Sequence, residues 1–134
     1  MSYMLDTNIC IYLIKRNPES VLKKMQENMW SGLCISSITL AELQHGVYNS
    51  KSAPKNEVAL TQFLSIIDIL PFDDEAAFEY GKVAADLQKK GTPIGSMDTL
   101  IAGHALATGK TLVSNNVKEF NRVIGLNIEN WVEK

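Results

Sequence analysis

Two cysteines are all the chain has, Cys10 and Cys34, each in an apolar setting. Neither has a Cys or His partner at metal-ligand spacing, and His45 and His104 stand far apart, so no zinc centre or structural disulfide is expected. Two buried thiols are the expectation, and a reducing cytoplasm the simplest home. A surplus of positive charge is missing as well: 13 basic side chains face 15 acidic ones, for a net charge of -2. A module that holds nucleic acid by phosphate contacts alone is thereby disfavoured. A nucleic-acid substrate is not, because a divalent cation can neutralise carboxylates and a phosphodiester together. No apolar run is long enough to cross a bilayer, and the N-terminus lacks the positive region and processed apolar stretch of a secretory signal, so no membrane partner is expected. Gly91, Gly95, Gly103 and Gly109 are separate punctuation marks and build no phosphate-cradling loop.

What remains is a globular composition, 46% hydrophobic and 21% charged over 134 residues, which fits one domain spanning 1–134. Met4-Leu5-Asp6-Thr7-Asn8, followed by Ile9, Ile11, Tyr12, Leu13 and Ile14, reads as a buried strand running into a helix. Pro18 suits the first turn of a second helix carrying Val21, Leu22, Met25 and Met29, which Gly32 stops. Leu33-Cys34-Ile35 is a short strand. Ser36 and Ser37 offer cap oxygens for a helix to about Tyr48, with Leu40, Leu43 and Val47 on one face. A polar loop from Asn49 to Lys55 leads to a helix over Glu57 to Ile66, then a strand over Ile67 to Leu70 limited by Pro71.

The longest helical signal runs from Asp74 to Lys90, with Ala77, Tyr80, Ala84 and Leu87 as its stripe and acidic charge near its N-terminus. After Gly91 and Pro93, Ser96 is the expected cap of an almost wholly apolar helix with Asp98 in its first turn, ending at Thr108-Gly109. Thr111-Leu112-Val113 is a strand, Ser114-Asn115-Asn116 leads to a short helix with Glu119 and Phe120, and Leu126 to Trp131 is a last strand. Strands alternating with helices, without a long linker, predict a three-layer α/β/α domain with a mainly parallel central sheet.

Asp6 and Asp98 share one kind of place, an acid at the start of a helix, and Glu42 and Glu119 fall near two further strand exits. Ligands of open α/β sheets sit at the carboxyl ends of strands. Four converging carboxylates repel unless they are protonated or neutralised, and a hard cation such as Mg²⁺ or Mn²⁺ does this economically. Each acid also has an ordinary reading: Asp6 as a helix cap with Thr7, Asp98 as a first-turn acid rewarded by the helix dipole, Glu42 and Glu119 as solvated helix residues.

Four segments taken together resemble the PIN-domain proteins, and most nearly the VapC ribonuclease toxins of type II toxin-antitoxin systems. They are Met4-Leu5-Asp6-Thr7-Asn8, Ser36-Ser37-Ile38-Thr39-Leu40-Ala41-Glu42-Leu43, Pro93-Ile94-Gly95-Ser96-Met97-Asp98-Thr99-Leu100-Ile101-Ala102 and Ser114-Asn115-Asn116-Val117-Lys118-Glu119-Phe120. The resemblance implies metal-assisted RNA hydrolysis at Asp6, Glu42, Asp98 and Glu119, leaving a 5′-phosphate and a 3′-hydroxyl. Initiator tRNA, cut in its anticodon loop, is the implied substrate, and a VapB-like antitoxin and a homodimer are the implied partners. Many PIN domains have an aspartate where this chain has Asn116, so this site is one charge short of that pattern.

Thr7, Asn8, Ser114, Asn115 and Asn116 are the expected groups that orient the carboxylates or the substrate. Lys15, Arg16, Lys51, Lys55, Lys118 and Arg122 are candidate phosphate contacts, and otherwise solvated charge. Ile9, Tyr12, Leu13, Leu43, Val47 and Tyr48 are candidates for an antitoxin groove, and otherwise core. Two rival functions share the site: a catalytically inactive PIN-like interaction module, and a metal-dependent DNA or structure-specific nuclease.

Overall fold

A computed structural model describes residues 2–133. Five parallel strands, β1 (Tyr3–Leu5), β2 (Leu33–Ser36), β3 (Asp68–Leu70), β4 (Thr111–Val113) and β5 (Ile128–Glu129), lie in the order β3-β2-β1-β4-β5. Helices α1 (Thr7–Lys15), α2 (Glu19–Glu27), α3 (Ser37–Tyr48), α4 (Ala53–Leu64), α5 (Asp74–Lys89), α6 (Ser96–Thr108) and α7 (Val117–Phe120) connect them.

Strand side chains alternate between two cores, as a period of two requires. Tyr3, Leu5, Leu33, Ile35 and Val113 join the core that Ile9, Leu13, Val21, Met25, Leu43, Val47, Leu60 and Phe63 supply from α1 to α4. Met4, Cys34 and Leu112 point the other way, into Val83, Leu87, Ile101, Ala102, Ala105 and Phe120 from α5 to α7. Helices on both faces of a parallel sheet make the three-layer α/β/α arrangement that the alternation of elements foretells. Cys10 and Cys34 are both buried, one in each core, with the sheet between them. Among the described residues no helix is long and apolar enough to cross a membrane.

The chain builds β1, β2 and β3 outward in one direction and then returns to lay β4 on the other side of β1. The order reverses between β1 and β4, and such a switch point opens a crevice at the carboxyl ends of the strands. Asp6, directly after β1, donates its backbone N–H to Val113 O at 3.1 Å across this switch point.

Several boundaries differ from expectation. The helix of the second connection stops at Glu27, and a 3₁₀ turn over Met29–Ser31 separates it from Gly32, whose φ of 84° is open to glycine; Met29 is exposed rather than core. Helix α4 starts at Ala53 with Pro54 in its first turn and ends at Leu64, so part of the presumed polar loop is helical. Gly95, not Ser96, is the cap position of α6, and Ser96 is its first residue. On α5 the buried line is Ala76, Val83 and Leu87 with Tyr80 half-buried, whereas Ala77 is exposed. The final strand shrinks to Ile128–Glu129, and β3 to Asp68–Leu70.

Candidate metal and RNA site

Asp6 is buried at the switch point, and its position follows from local chemistry. Its backbone is extended, and its Oδ1 accepts the Ile9 N–H at 3.0 Å, so it caps α1. The cap reading is therefore correct, and the same carboxylate lies within the field of Asp98 and Glu42. Burial pushes its pKa up from 3.8 to about 6; the Ser114 hydroxyl and the Ile9 amide oppose this, and the charges of Asp98 and Glu42 add to it. Ser114, fully buried after β4, also accepts the Asn116 N–H at 2.9 Å and so shapes the loop beyond it.

Glu42, half-buried on α3, receives a 2.6 Å hydrogen bond from Thr7 Oγ1. Asp98, in the first turn of α6, is half-buried, and its pKa is raised by burial first and then by Glu42 and Glu119. Asn116 stands between the last two acids. Its Nδ2 donates to Glu119 Oε2 at 3.0 Å and, more weakly, to Asp98 Oδ2 at 3.4 Å. Segments spread over 113 residues thus bring the charges of Asp98 and Glu42 to bear on Asp6, and those of Glu42 and Glu119 on Asp98.

Other expected contributors are placed differently. Asn8 is exposed, and Asn115 accepts a 3.2 Å bond from Asn130 rather than touching an acid. Arg122 donates to Pro93 O at 3.1 Å, tying the chain after α7 to the loop before α6. Lys15, Arg16, Lys51, Lys55 and Lys118 are exposed.

An open groove of about 270 Å³ lies beside Glu42 between α1, α3 and α4, lined by Ile11, Ile14, Leu43, Val47, Ala59 and Leu60 with Lys15 and Asn56. Of the candidates for an antitoxin groove only Leu43 and Val47 line it. Ile9 and Leu13 are core, because α1 turns those two toward the sheet and Ile11 and Ile14 toward the groove; Tyr12 and Tyr48 lie outside its lining.

The donor set suits a hard cation: carboxylate oxygens, a hydroxyl and an amide, with no thiolate or imidazole among them. Among the described residues no three acidic, histidine or cysteine side chains close to direct ligand spacing.

An open parallel α/β domain with acidic side chains gathered at its switch point is the class of protein that the fold and site define. The PIN domain family model matches residues 3–126. The chain is 47% identical to Ribonuclease VapC2 of Rickettsia felis, with 98% of each chain covered. It is 43% identical to the tRNA(fMet)-specific endonuclease VapC of Salmonella typhimurium, again over 98% of each. The crystal structure of VapBC2 from Rickettsia felis bound to a promoter DNA fragment contains a chain that superposes with a TM-score of 0.94 at 45% identity, covering 98% of this chain and all of that one. DNA-bound VapBC from Salmonella typhimurium gives 0.93 at 42% identity, covering 98% of this chain and 99% of that one. This chain belongs to the PIN-domain family, and within it to the VapC ribonucleases.

Proposed function

We propose that the protein is a divalent-metal-dependent endoribonuclease toxin that hydrolyses RNA phosphodiesters, with initiator tRNA cut in its anticodon loop as substrate and a VapB-like antitoxin as its restraint. The observation that carries this reading is the convergence of acids at one switch point, where Asp98 and Glu42 act on buried Asp6, and Glu42 and Glu119 act on Asp98, a repulsion that a cation would relieve. Asp6, Glu42 and Asp98 are the proposed holders of Mg²⁺ or Mn²⁺, with Glu119 on the outer flank orienting the water or a second ion.

When bound, the cation supplies Lewis-acid charge and an acidified water for hydrolysis. Thr7 fixes the Glu42 carboxylate, and Ser114 holds Asp6. Asn116 restrains Asp98 and Glu119. Water adds to phosphorus, the bond from phosphorus to the 3′-oxygen breaks, and that oxygen leaves with a proton as the 3′-hydroxyl. A loop of folded RNA suits such an open crevice, since its bases splay without melting a duplex. Lys15, which lines the groove with Glu42, and Lys118, next to Glu119 in sequence, are both exposed and are the proposed phosphate contacts.

The tRNA assignment is supported by the name of the Salmonella relative, and the antitoxin by the VapBC complexes among the matched structures. For the antitoxin, the groove beside Glu42 offers an apolar floor leading to an acidic end, which fits an apolar segment followed by a basic side chain. A homodimer is the expected free state, and sedimentation across concentration tests it.

The decisive assay incubates purified protein with a tRNA panel, unstructured RNAs and DNA, in Mg²⁺, Mn²⁺ or EDTA, and maps 5′ ends. Metal-dependent cutting of initiator tRNA at one loop position is expected. Equal cutting of unrelated unstructured RNAs would defeat the tRNA assignment. Preference for DNA would replace the ribonuclease reading, and inertness in every metal would leave an interaction module.

A further inference from the structure

Outside the acidic crevice, one buried polar pair joins the two helices that supply acids to it. His104 is on α6, two turns beyond Asp98, and Ser36 caps α3, two turns before Glu42. His104 Nδ1 and Ser36 Oγ are 2.7 Å apart, and both residues are buried, at 1% and 0% exposure. We propose that His104 is a positioning residue: through Ser36 it locks the helix of Asp98 to the helix of Glu42 and so sets the spacing of those two carboxylates. This rests on the nuclease reading above.

The direction of the bond turns on the ring tautomer. Ser36 Oγ accepts the Ile38 N–H at 3.1 Å as the α3 cap and keeps both its proton and a second lone pair for His104. With the imidazole proton on Nε2 the hydroxyl donates to Nδ1, and with it on Nδ1 the ring donates to Oγ. Burial lowers the His104 pKa, with the Asp73 charge opposing, which favours the neutral ring.

The neighbours explain why one hydrogen bond can fix a helix. Gly103, the preceding residue, lies so close to α5 that an added Cβ would stand 2.7 Å from the Tyr80 nitrogen. Phe72 meets the His104 ring edge-on at a centroid distance of 5.4 Å. Among the described residues, therefore, α6 packs against α5 by shape, whereas toward β2 and α3 the His104–Ser36 bond is a directional contact. A ring that served only to fill space would be replaceable by phenylalanine without consequence for activity.

The test uses His104→Phe, which keeps the contact with Phe72 but has no Nδ1, and His104→Asn, whose amide can reach the Ser36 hydroxyl. Initiator-tRNA cleavage is measured in saturating Mg²⁺ alongside thermal melting. His104→Phe is expected to lose about 10- to 100-fold in kcat, the scale of a misplaced catalytic group, with KM unchanged. His104→Asn is expected to recover most of that loss. Ser36→Ala should reproduce the His104→Phe defect, and the double variant should be no worse than the poorer single one; this arm decides if His104→Phe fails to fold. Full kcat in folded His104→Phe, equal impairment in His104→Asn, or additive losses would overturn the proposal. A wild-type protein inert in Mg²⁺ would instead remove the nuclease reading, and this inference with it.

Discussion

Replacing Asp6 by Asn should stabilise the metal-free protein while abolishing its chemistry. The side chain is a buried cap whose Oδ1 accepts from Ile9, and asparagine caps a helix as well as aspartate does. What the substitution removes is a buried charge among like charges, whose pKa rises from 3.8 to about 6 on folding. A carboxyl with a raised folded pKa binds protons more tightly in the native state, so stability falls as pH rises from the unfolded value through the folded one. Below about pH 3 both states are protonated and Asp6 costs nothing; above about pH 7 the full penalty applies, about 3 kcal/mol at 1.36 kcal/mol per pKa unit. Urea denaturation in EDTA from about pH 3 to pH 8 should therefore show Asp6→Asn gaining on the wild type as pH rises, and level with it at the acid end. Added Mn²⁺ should reverse the order by stabilising the wild type alone. A variant that is less stable at pH 8 without metal, or a difference independent of pH, would refute the reasoning.

Three further outcomes follow from named contacts. Thr7→Val deletes the 2.6 Å bond to Glu42 and should lower metal affinity about 10- to 100-fold by calorimetry, with little change in melting temperature. Asn116→Asp replaces the donor shared by Asp98 and Glu119 with a fifth negative charge, and should destabilise the metal-free protein by about 1 kcal/mol, a value reduced by solvent at this half-exposed place and recovered in Mn²⁺. Gly103→Ala forces a Cβ to within 2.8 Å of the Tyr80 Cα, and should cost about 1–3 kcal/mol in chemical denaturation because α5 and α6 must part.

The sequence carries the fold through its alternation. Apolar triplets such as Met4-Leu5 with Tyr3, or Thr111 to Val113, are too short to prove a strand singly, yet their regular exchange with helices leaves little besides a parallel sheet. Asp6 and Asp98 were legible because caps and first turns mark helix starts, and helix starts in such a sheet surround the crevice. Helix α1 was not legible in its facing: Ile9, Ile11, Tyr12, Leu13 and Ile14 are apolar all round, so periodicity cannot say which pair meets the sheet and which the groove. The phase of α5 failed similarly, because alanines at 76, 77, 84 and 85 give no contrast between faces. The Thr7–Glu42, Asn116–Glu119 and His104–Ser36 contacts span between 3 and 68 residues, and only packing decides which polar groups meet.

Diffraction from crystals of the metal-free protein soaked in Mn²⁺, recorded at a wavelength where manganese scatters anomalously, bears on the central claim most directly. An anomalous peak is predicted in the crevice, bound to Asp6 or Asp98 directly and to its companions directly or through water. Saturating Mn²⁺ with no peak there, or a peak only at acids elsewhere on the surface, would contradict it.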